Sequence, residues 1–406
     1  MLQIVFFGFF LFLLSADRAS VHLGGGNLKY AYFLVPFLWT WHPKLMLKLA
    51  IDGIKKTPPM LAIGIVPLIF SVAFSFNRFQ SLVWCGWLTF NLLTLISVFS
   101  FLKVNQFTSS RIRDSALLGL SLIAAAGLLQ YICIYFFDFI VFSPQHHREF
   151  YRINGLAGWP HFLNIFSFLL LPLVLSFSEW RKWERPILFM VTYVLFQSTS
   201  KTGWVLFVAL GAALFAFNRR GFFKKFLKFL VPISILFTIL PTSPCGPYNL
   251  LGFKKLALFA QDANIEENSS GNERLLICLM GLKVFRKYPL VGVGPRAYSE
   301  YTASRFKSDF PGDYNWGLVG NTRNENIWVE LLAENGLIFA ALLWIALAFY
   351  LRPKILTPNN AILSGAWTSL ILYYGMSGQF SQNILLTLVF AVWGIFFYAL
   401  ELETTR

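Results

Sequence analysis

Arg323-Asn324-Glu325-Asn326-Ile327-Trp328-Val329-Glu330-Leu331-Leu332-Ala333-Glu334-Asn335-Gly336-Leu337 is where a long polar stretch gives way to a new apolar helix. The polar stretch, residues 242–325, interrupts a chain that is otherwise mostly apolar runs, and it holds Arg274, Arg286, Arg296, Arg305 and Arg323. Glu325 and Asn326 stand at the mouth of the helix, where water ends. Glu330 and Glu334 follow one turn apart on one face, and carboxylates inside an apolar helix need partners or a polar cavity. Charge against hydrocarbon is costly, so a large basic loop on one side of a bilayer is where chemistry is expected.

Composition sets the class around that junction. Of 406 residues, 56% are hydrophobic and 13% charged, with 45 Phe and a mean hydropathy of +0.60. These values lie outside the range of soluble domains. An all-α, polytopic transmembrane bundle is expected, forming one integral membrane domain over residues 1–406. A spanning helix needs about 20 apolar residues, fewer when neighbours shield it. Apolar runs near 2–15, 30–42, 58–76, 81–102, 115–137, 162–177, 186–199, 202–217, 226–241, 326–350, 361–376 and 383–401 then give about twelve spans. The polar loop falls between the ninth and the tenth. Residues 1–17 also fit a signal peptide, but no Lys or Arg precedes their apolar run, which favours a first span. Cys85 and Cys133 lie in apolar runs as packing residues. Cys245 and Cys278 share the loop, where a disulfide is open to them.

Basic residues test this map. One set of connections carries 18 of them, including Lys44, Lys48, Lys55, Lys56, Lys103, Arg111, Arg113 and Arg185. The short connections of the other set carry only 6: Arg18, Lys29, Arg78, Arg148, Arg152 and Lys201. The positive-inside rule puts the first set, with both termini, in the cytoplasm. The large loop then faces outward. The net charge of +15 is in part this topology signal and does not point to nucleic acid.

Within the loop, Ser270-Gly271-Asn272-Glu273 reads as a capping box. Leu275, Leu276, Met280, Val284 and Phe285 follow at helical spacing, so an amphipathic helix near the membrane surface is expected over 271–287. Pro289 stops it, Val291-Gly292-Val293-Gly294-Pro295 forms a tight turn, and a short helix near 296–304 follows. Four groups could carry chemistry, all at the outer face. Arg274 sits in a first helical turn, where a cation opposes the dipole and an anionic ligand would explain it. Glu325 is placed as a general base. Lys201, in Ser200-Lys201-Thr202-Gly203, stands at a short outer turn. Arg152 follows the His146-His147 pair in an outward re-entrant segment. The His pair lacks a third ligand at sensible spacing, so no metal is expected. No nucleotide-binding loop occurs, because Gly292 and Gly294 do not continue to Gly-Lys-Ser or Gly-Lys-Thr.

At these residues the chain resembles the O-antigen ligase/polymerase superfamily of bacterial membrane glycosyltransferases, over roughly residues 150–350. The matching motifs are Ser200-Lys201-Thr202-Gly203, then Arg274 with Pro289-Leu290-Val291-Gly292-Val293-Gly294-Pro295, then Glu325-Asn326 through Glu334-Asn335-Gly336. The resemblance implies transfer of a glycan from undecaprenyl pyrophosphate to an acceptor sugar hydroxyl, on a growing glycan or on the lipid A core. It places the active site on the periplasmic face of the bacterial inner membrane. Glu325 and Arg274 would be catalytic, with Lys201, Arg152, Arg323, Asn326 and Glu334 binding substrate. Neither metal nor other cofactor is implied, and attack opposite the leaving group implies inversion. Glu325 replaces the His proposed as catalytic in the family's ligases, which favours a polymerase. Lys201 replaces the commoner Arg. Two other classes stay open, a lipid-linked glycan transporter or flippase and a non-catalytic assembly partner for the envelope.

Overall fold

The computed structural model of the chain describes residues 1–16, 20–23, 26–40, 43–55, 68–137, 139–142, 145–147, 150–152, 155–157, 160–177, 184–197, 270–305, 327–351, 361–376 and 383–404. Within these, helices dominate. They are α1 (Leu2–Ser15), α2 (Tyr30–Thr40), α3 (Pro43–Lys55), α4 (Arg78–Val104), α5 (Ser109–Phe137), α6 (Pro160–Leu175), α7 (Glu184–Gln197), α8 (Ser270–Lys287), α9 (Tyr298–Arg305), α10 (Ile327–Leu351), α11 (Ala361–Met376) and α12 (Asn383–Thr404). Two antiparallel hairpins depart from the all-α expectation. One pairs β1 (Ser20–Leu23) with β2 (Gly26–Lys29), the other β3 (Gln145–His147) with β4 (Phe150–Arg152). The second hairpin replaces the re-entrant segment expected around Arg152. Each is too short to hold itself together in water and depends on its anchorage.

Helix bounds follow the apolar runs closely. The runs at 202–217 and 226–241, and the start of 58–76, lie outside the described residues. Among the described residues, two helices are long and apolar enough to cross a bilayer by themselves, Arg78–Val104 and Ser109–Ile134. The apolar stretches Leu2–Ser15, Ile165–Leu175, Ala361–Leu370 and Thr387–Leu402 are shorter, so the count of twelve remains an expectation from the sequence. Helix α3 was not expected; its lysines place it among the connections. The outward faces carry large apolar side chains in the open, among them Phe33, Phe37, Phe79, Leu82, Leu93 and Leu129. A coat of that kind is what hydrocarbon, rather than water, accepts.

The main core joins α1, α4, α5, α6, α7, α11 and α12, with Phe7, Phe101, Phe107, Phe166 and Phe396 fully buried in it. α1 lies along α5 at close range because position 8 is glycine: a Cβ there would come within 2.8 Å of the Ser115 carbonyl. Small residues at crossings let helix backbones approach in this way. Polar pins cross the core as well. Thr387 Oγ1 donates to the buried Asn91 Oδ1 at 2.6 Å, and Tyr398 Oη donates to the Phe107 carbonyl at 2.8 Å.

These contacts orient the bundle. Gln3 Nε2 donates to Asn105 Oδ1 at 2.6 Å, and Lys103 pairs with Glu401 at 2.6 Å. The N-terminal turn of α1 and the last turns of α12 therefore both meet the C-terminal end of α4. Phe76 N–H, just before α4, instead meets the 289–295 turn. The two ends are separated by a 27-residue helix, about 40 Å long at 1.5 Å per residue. The hairpin β3–β4 belongs to the second end. Gln130, buried near the far end of α5, donates to the Val141 carbonyl at 3.1 Å and accepts from Gly155 N–H at 2.8 Å. One side chain thus ties both flanks of the hairpin to a helix.

At the first end, Arg113 of α5 pairs with Glu184 of α7 where both are buried, and the guanidinium lies 5.0 Å from the centre of the Phe177 ring. Removing one member of a buried pair strands the other charge, at a cost of about 3–5 kcal/mol. Arg113→Leu alone should therefore lower the thermal midpoint in detergent sharply. Arg113→Leu with Glu184→Leu should recover much of the loss. Equal midpoints for the single and the double variant would show that the pair is not what holds α5 to α7.

Candidate functional site

Three segments far apart in sequence meet at the N-terminal end of α4, and the meeting point is a break in a helix. α10 is helical on both sides of Gly336, whose φ of 74° and ψ of 176° interrupt it. A break frees carbonyls before it and amides after it. In a continuous helix the Ala333 and Glu334 carbonyls would accept from Leu337 and Ile338. Here the turn after α8 takes both roles. Val293 N–H donates to the Ala333 carbonyl at 3.0 Å, and Gly294 N–H donates to the Glu334 carbonyl at 2.9 Å. Leu337 N–H donates to the Pro289 carbonyl at 2.8 Å, and Ile338 N–H to the Leu290 carbonyl at 3.4 Å. Two intrahelical bonds, with their two donors and two acceptors, are replaced by four bonds to one turn.

The exchange requires glycine at the contact points. Gly292 and Gly294 have φ of 67° and 102°, in the left-handed region. A Cβ on Gly292 would strike the Glu334 backbone, one on Gly294 would strike Ser75, and one on Gly336 would strike the Leu290 carbonyl. The motif glycines are therefore mutual spacers. They do not form an anion cradle. The amides of Gly292, Val293, Gly294 and Ala297 all donate to main-chain carbonyls.

The segment leading into α4 closes the other side. Ser71 Oγ donates to the Glu334 carbonyl at 3.1 Å, and Ser81 Oγ to the Pro295 carbonyl at 2.7 Å. Phe76 N–H donates to the Val293 carbonyl at 2.9 Å. Asn77 caps α4 by accepting from Gln80 N–H at 3.0 Å, while its amide nitrogen donates to the Glu300 carboxylate on α9. A small second core fills the space between α8, the turn, α9 and α10. It consists of Ile277, Met280, Val284, Val293, Ala297, Tyr298, Tyr301 and Ala333. Of the apolar stripe of α8, expected to lie on the membrane surface, Met280 and Val284 are buried in this core. Burial and the neighbouring Tyr288 phenol push the Tyr301 phenol up to about 12. Tyr301 serves here as a neutral ring, edge-on to Phe76 and Tyr288.

Among the sequence-predicted site residues, Glu334 is placed most fully. It is 3% exposed, and its Oε1 accepts from Tyr298 N–H at 3.4 Å at the first turn of α9. A carboxylate there also complements the helix dipole. Glu330, one turn earlier, is 1% exposed. Arg274 lies in the first part of α8, a helix packed along α10. Arg152 ends β4, opposite Gln145 across the hairpin. Lys201, Arg323, Glu325 and Asn326 lie outside the described residues, as does Cys245; Cys278 is half-buried and unbridged. The sequence reading missed Ser71, Ser75, Ser81, Asn77 and Gln130. None has a motif, and only the serine spacing ahead of α4 hints at a polar contact.

These observations define a helical membrane protein with a broken helix clamped by a glycine-rich turn. Residues 186–345 match the family model of O-antigen ligases, a family of glycosyltransferase-like enzymes. The matched region runs from α7 into the second half of α10, so it contains both halves of the clamp. It bears out the resemblance read from the motifs. No curated protein matches the chain.

The clamp makes a sharp prediction. Gly294→Ala or Gly336→Ala introduces an atom where none fits and strains a left-handed residue by about 1–3 kcal/mol. Hydrogen exchange across 288–305 should speed up at least tenfold in either variant. Exchange in α4 below Ser81 should stay as in wild type. Unchanged exchange at 288–305 would show that the turn holds its place without the glycines.

Proposed function

We propose that the chain transfers a glycan from a polyprenyl-pyrophosphate donor to a sugar hydroxyl, on the membrane face opposite the basic end of the bundle. The observation that carries this reading is the clamp. Two of the three stretches that resemble the O-antigen ligase/polymerase superfamily, separated by more than thirty residues, are bonded into one unit. The match over residues 186–345 covers that unit. The cytoplasmic side is assigned to the end carrying Lys103, Arg111, Arg113 and Arg185, by the positive-inside rule. The clamp then faces the periplasm of a bacterial inner membrane, where substrates arrive already activated on a lipid.

The chemistry follows from the residue types. The acceptor hydroxyl oxygen attacks the anomeric carbon as the bond from that carbon to the pyrophosphate oxygen breaks. The lipid pyrophosphate leaves with the electron pair, and the hydroxyl proton passes to Glu325. An unperturbed glutamate, pKa about 4.3, is ionised at neutral pH and can accept it. Arg274, with Lys201 and Arg152, neutralises the charge growing on the leaving group, a role that needs no metal. Attack from the opposite face inverts the anomeric centre. Arg323 and Asn326 flank Glu325 and bind substrate. Glu334 acts at one remove: its carboxylate holds α9, which steadies the helix that carries Arg274. Glu325 in place of a His favours polymerisation over ligation to the lipid A core.

The test is glycan profiling of a host lacking this gene, restored with wild type, Arg274→Ala or Glu325→Gln. Loss of a charge-stabilising donor typically costs about 10²–10³ in rate, so both variants should restore almost no transfer while reaching wild-type levels in the membrane. Single repeat units left on the lipid A core would mark a polymerase. Full-length lipid-linked chains over a bare core would mark a ligase. A fully active Arg274→Ala would remove the assigned role, and an unchanged profile on deletion would overturn the transfer reading.

A further inference from the structure

We infer that α3 is a docking surface for the anionic headgroups of the membrane leaflet at the basic end of the bundle. The inference does not depend on the transfer chemistry.

The helix is built for an interface. Met46 is fully buried, and α3 packs along α4. Lys44 and Lys48, one turn apart, form an exposed stripe on the side away from Met46. Leu45 on one border of that stripe and Leu47 and Ile51 on the other are also exposed, at 47%, 53% and 43%. Water would not favour three open aliphatic chains around two ammonium groups. A headgroup boundary favours both: the aliphatic chains enter the acyl region and the lysines reach the phosphates.

The position of α3 agrees. α2 runs parallel to α4, since Tyr32 packs against Trp87 and Phe90 while Trp39 Nε1 donates to Ser97 Oγ at 2.7 Å. α3 begins three residues after α2 ends, so it starts toward the C-terminal end of α4. That end also displays exposed Arg111 and Arg185. Of the other basic side chains described there, Lys103 pairs with Glu401 and Arg113 with Glu184. Asp52, one turn beyond Lys48, is half-exposed and offsets one charge of the local cluster. Four exposed cations against Asp52 leave a net excess of three positive charges among these residues, complementary to a negatively charged leaflet. Juxtamembrane basic groups gain their attraction from such a surface potential.

The test uses the full chain in nanodiscs of phosphatidylcholine alone or of phosphatidylcholine doped with phosphatidylglycerol. Hydrogen exchange over 43–55 should be roughly tenfold slower in the anionic discs. The difference should vanish for K44Q/K48Q, and it should shrink for wild type at high salt, because exposed charges are screened within a Debye length. Exchange across 288–305 serves as the folding control and should not change. Equal exchange in the two lipids for wild type overturns the inference, and a lipid difference that survives K44Q/K48Q moves the contact elsewhere.

Discussion

A buried helix cannot simply stop and restart. Where no water reaches the groups that a break releases, each one left bare costs several kcal/mol. The break at Gly336 is tolerated because the 289–294 turn supplies two donors and two acceptors at the required positions. Much else at this end of the bundle follows from that exchange. The turn must lie against α10, so α8 must end at Lys287 and turn sharply. α9 must begin where the Glu334 carboxylate can reach its first amide. The serines leading into α4 must face the turn rather than the lipid, and Ser71 and Ser81 do so with 3.1 and 2.7 Å bonds.

The same constraint explains which parts of the molecule could be read from the sequence. The long runs of α4 and α5 are apolar over more than a bilayer thickness, and their bounds fall within a few residues of expectation. α8 was legible because its cap and its apolar spacing agree, and because Pro289 ends it. α3 was hidden because Lys44, Lys48 and Lys55 make it resemble a connection. Its apolar residues do not gather on one face: Met46 is buried while Leu45, Leu47 and Ile51 are exposed. The hairpins were hidden because a three- or four-residue strand leaves no periodicity to count. Gln130 looked like one more residue of an apolar span, yet it holds both flanks of a hairpin.

The candidate site divides along similar lines. Its residue types were legible as charges placed where an apolar helix begins. The relation between its motifs was not, because it consists of main-chain bonds, and main chain carries no sequence mark. A glycine can be suspected of a left-handed conformation. Nothing in Pro289-Leu290-Val291-Gly292-Val293-Gly294-Pro295 says that its partner is Ala333-Glu334-Asn335-Gly336, though the two stretches share one need. One has amides and carbonyls turned outward by a tight bend, and the other lacks the same groups.

That relation also decides what kind of anion site this end of the bundle can offer. A glycine-rich turn ahead of a helix often suggests backbone amides cradling a phosphate. Here the amides of Gly292, Val293, Gly294 and Ala297 are consumed by carbonyls. The Glu334 carboxyl group occupies the first turn of α9, where an anion would otherwise settle. Main chain therefore leaves little for a pyrophosphate at the turn. In the proposed reading, the neutralising charge must come from side chains carried by the elements that the clamp positions. Arg274 on α8 is the foremost of these, a cation in an early turn of a helix whose dipole opposes it. The clamp fixes that helix against α10 and leaves the charge to the side chain, so binding and scaffold can vary separately. A family could change the donor glycan by altering loop side chains while keeping the glycines that hold the break.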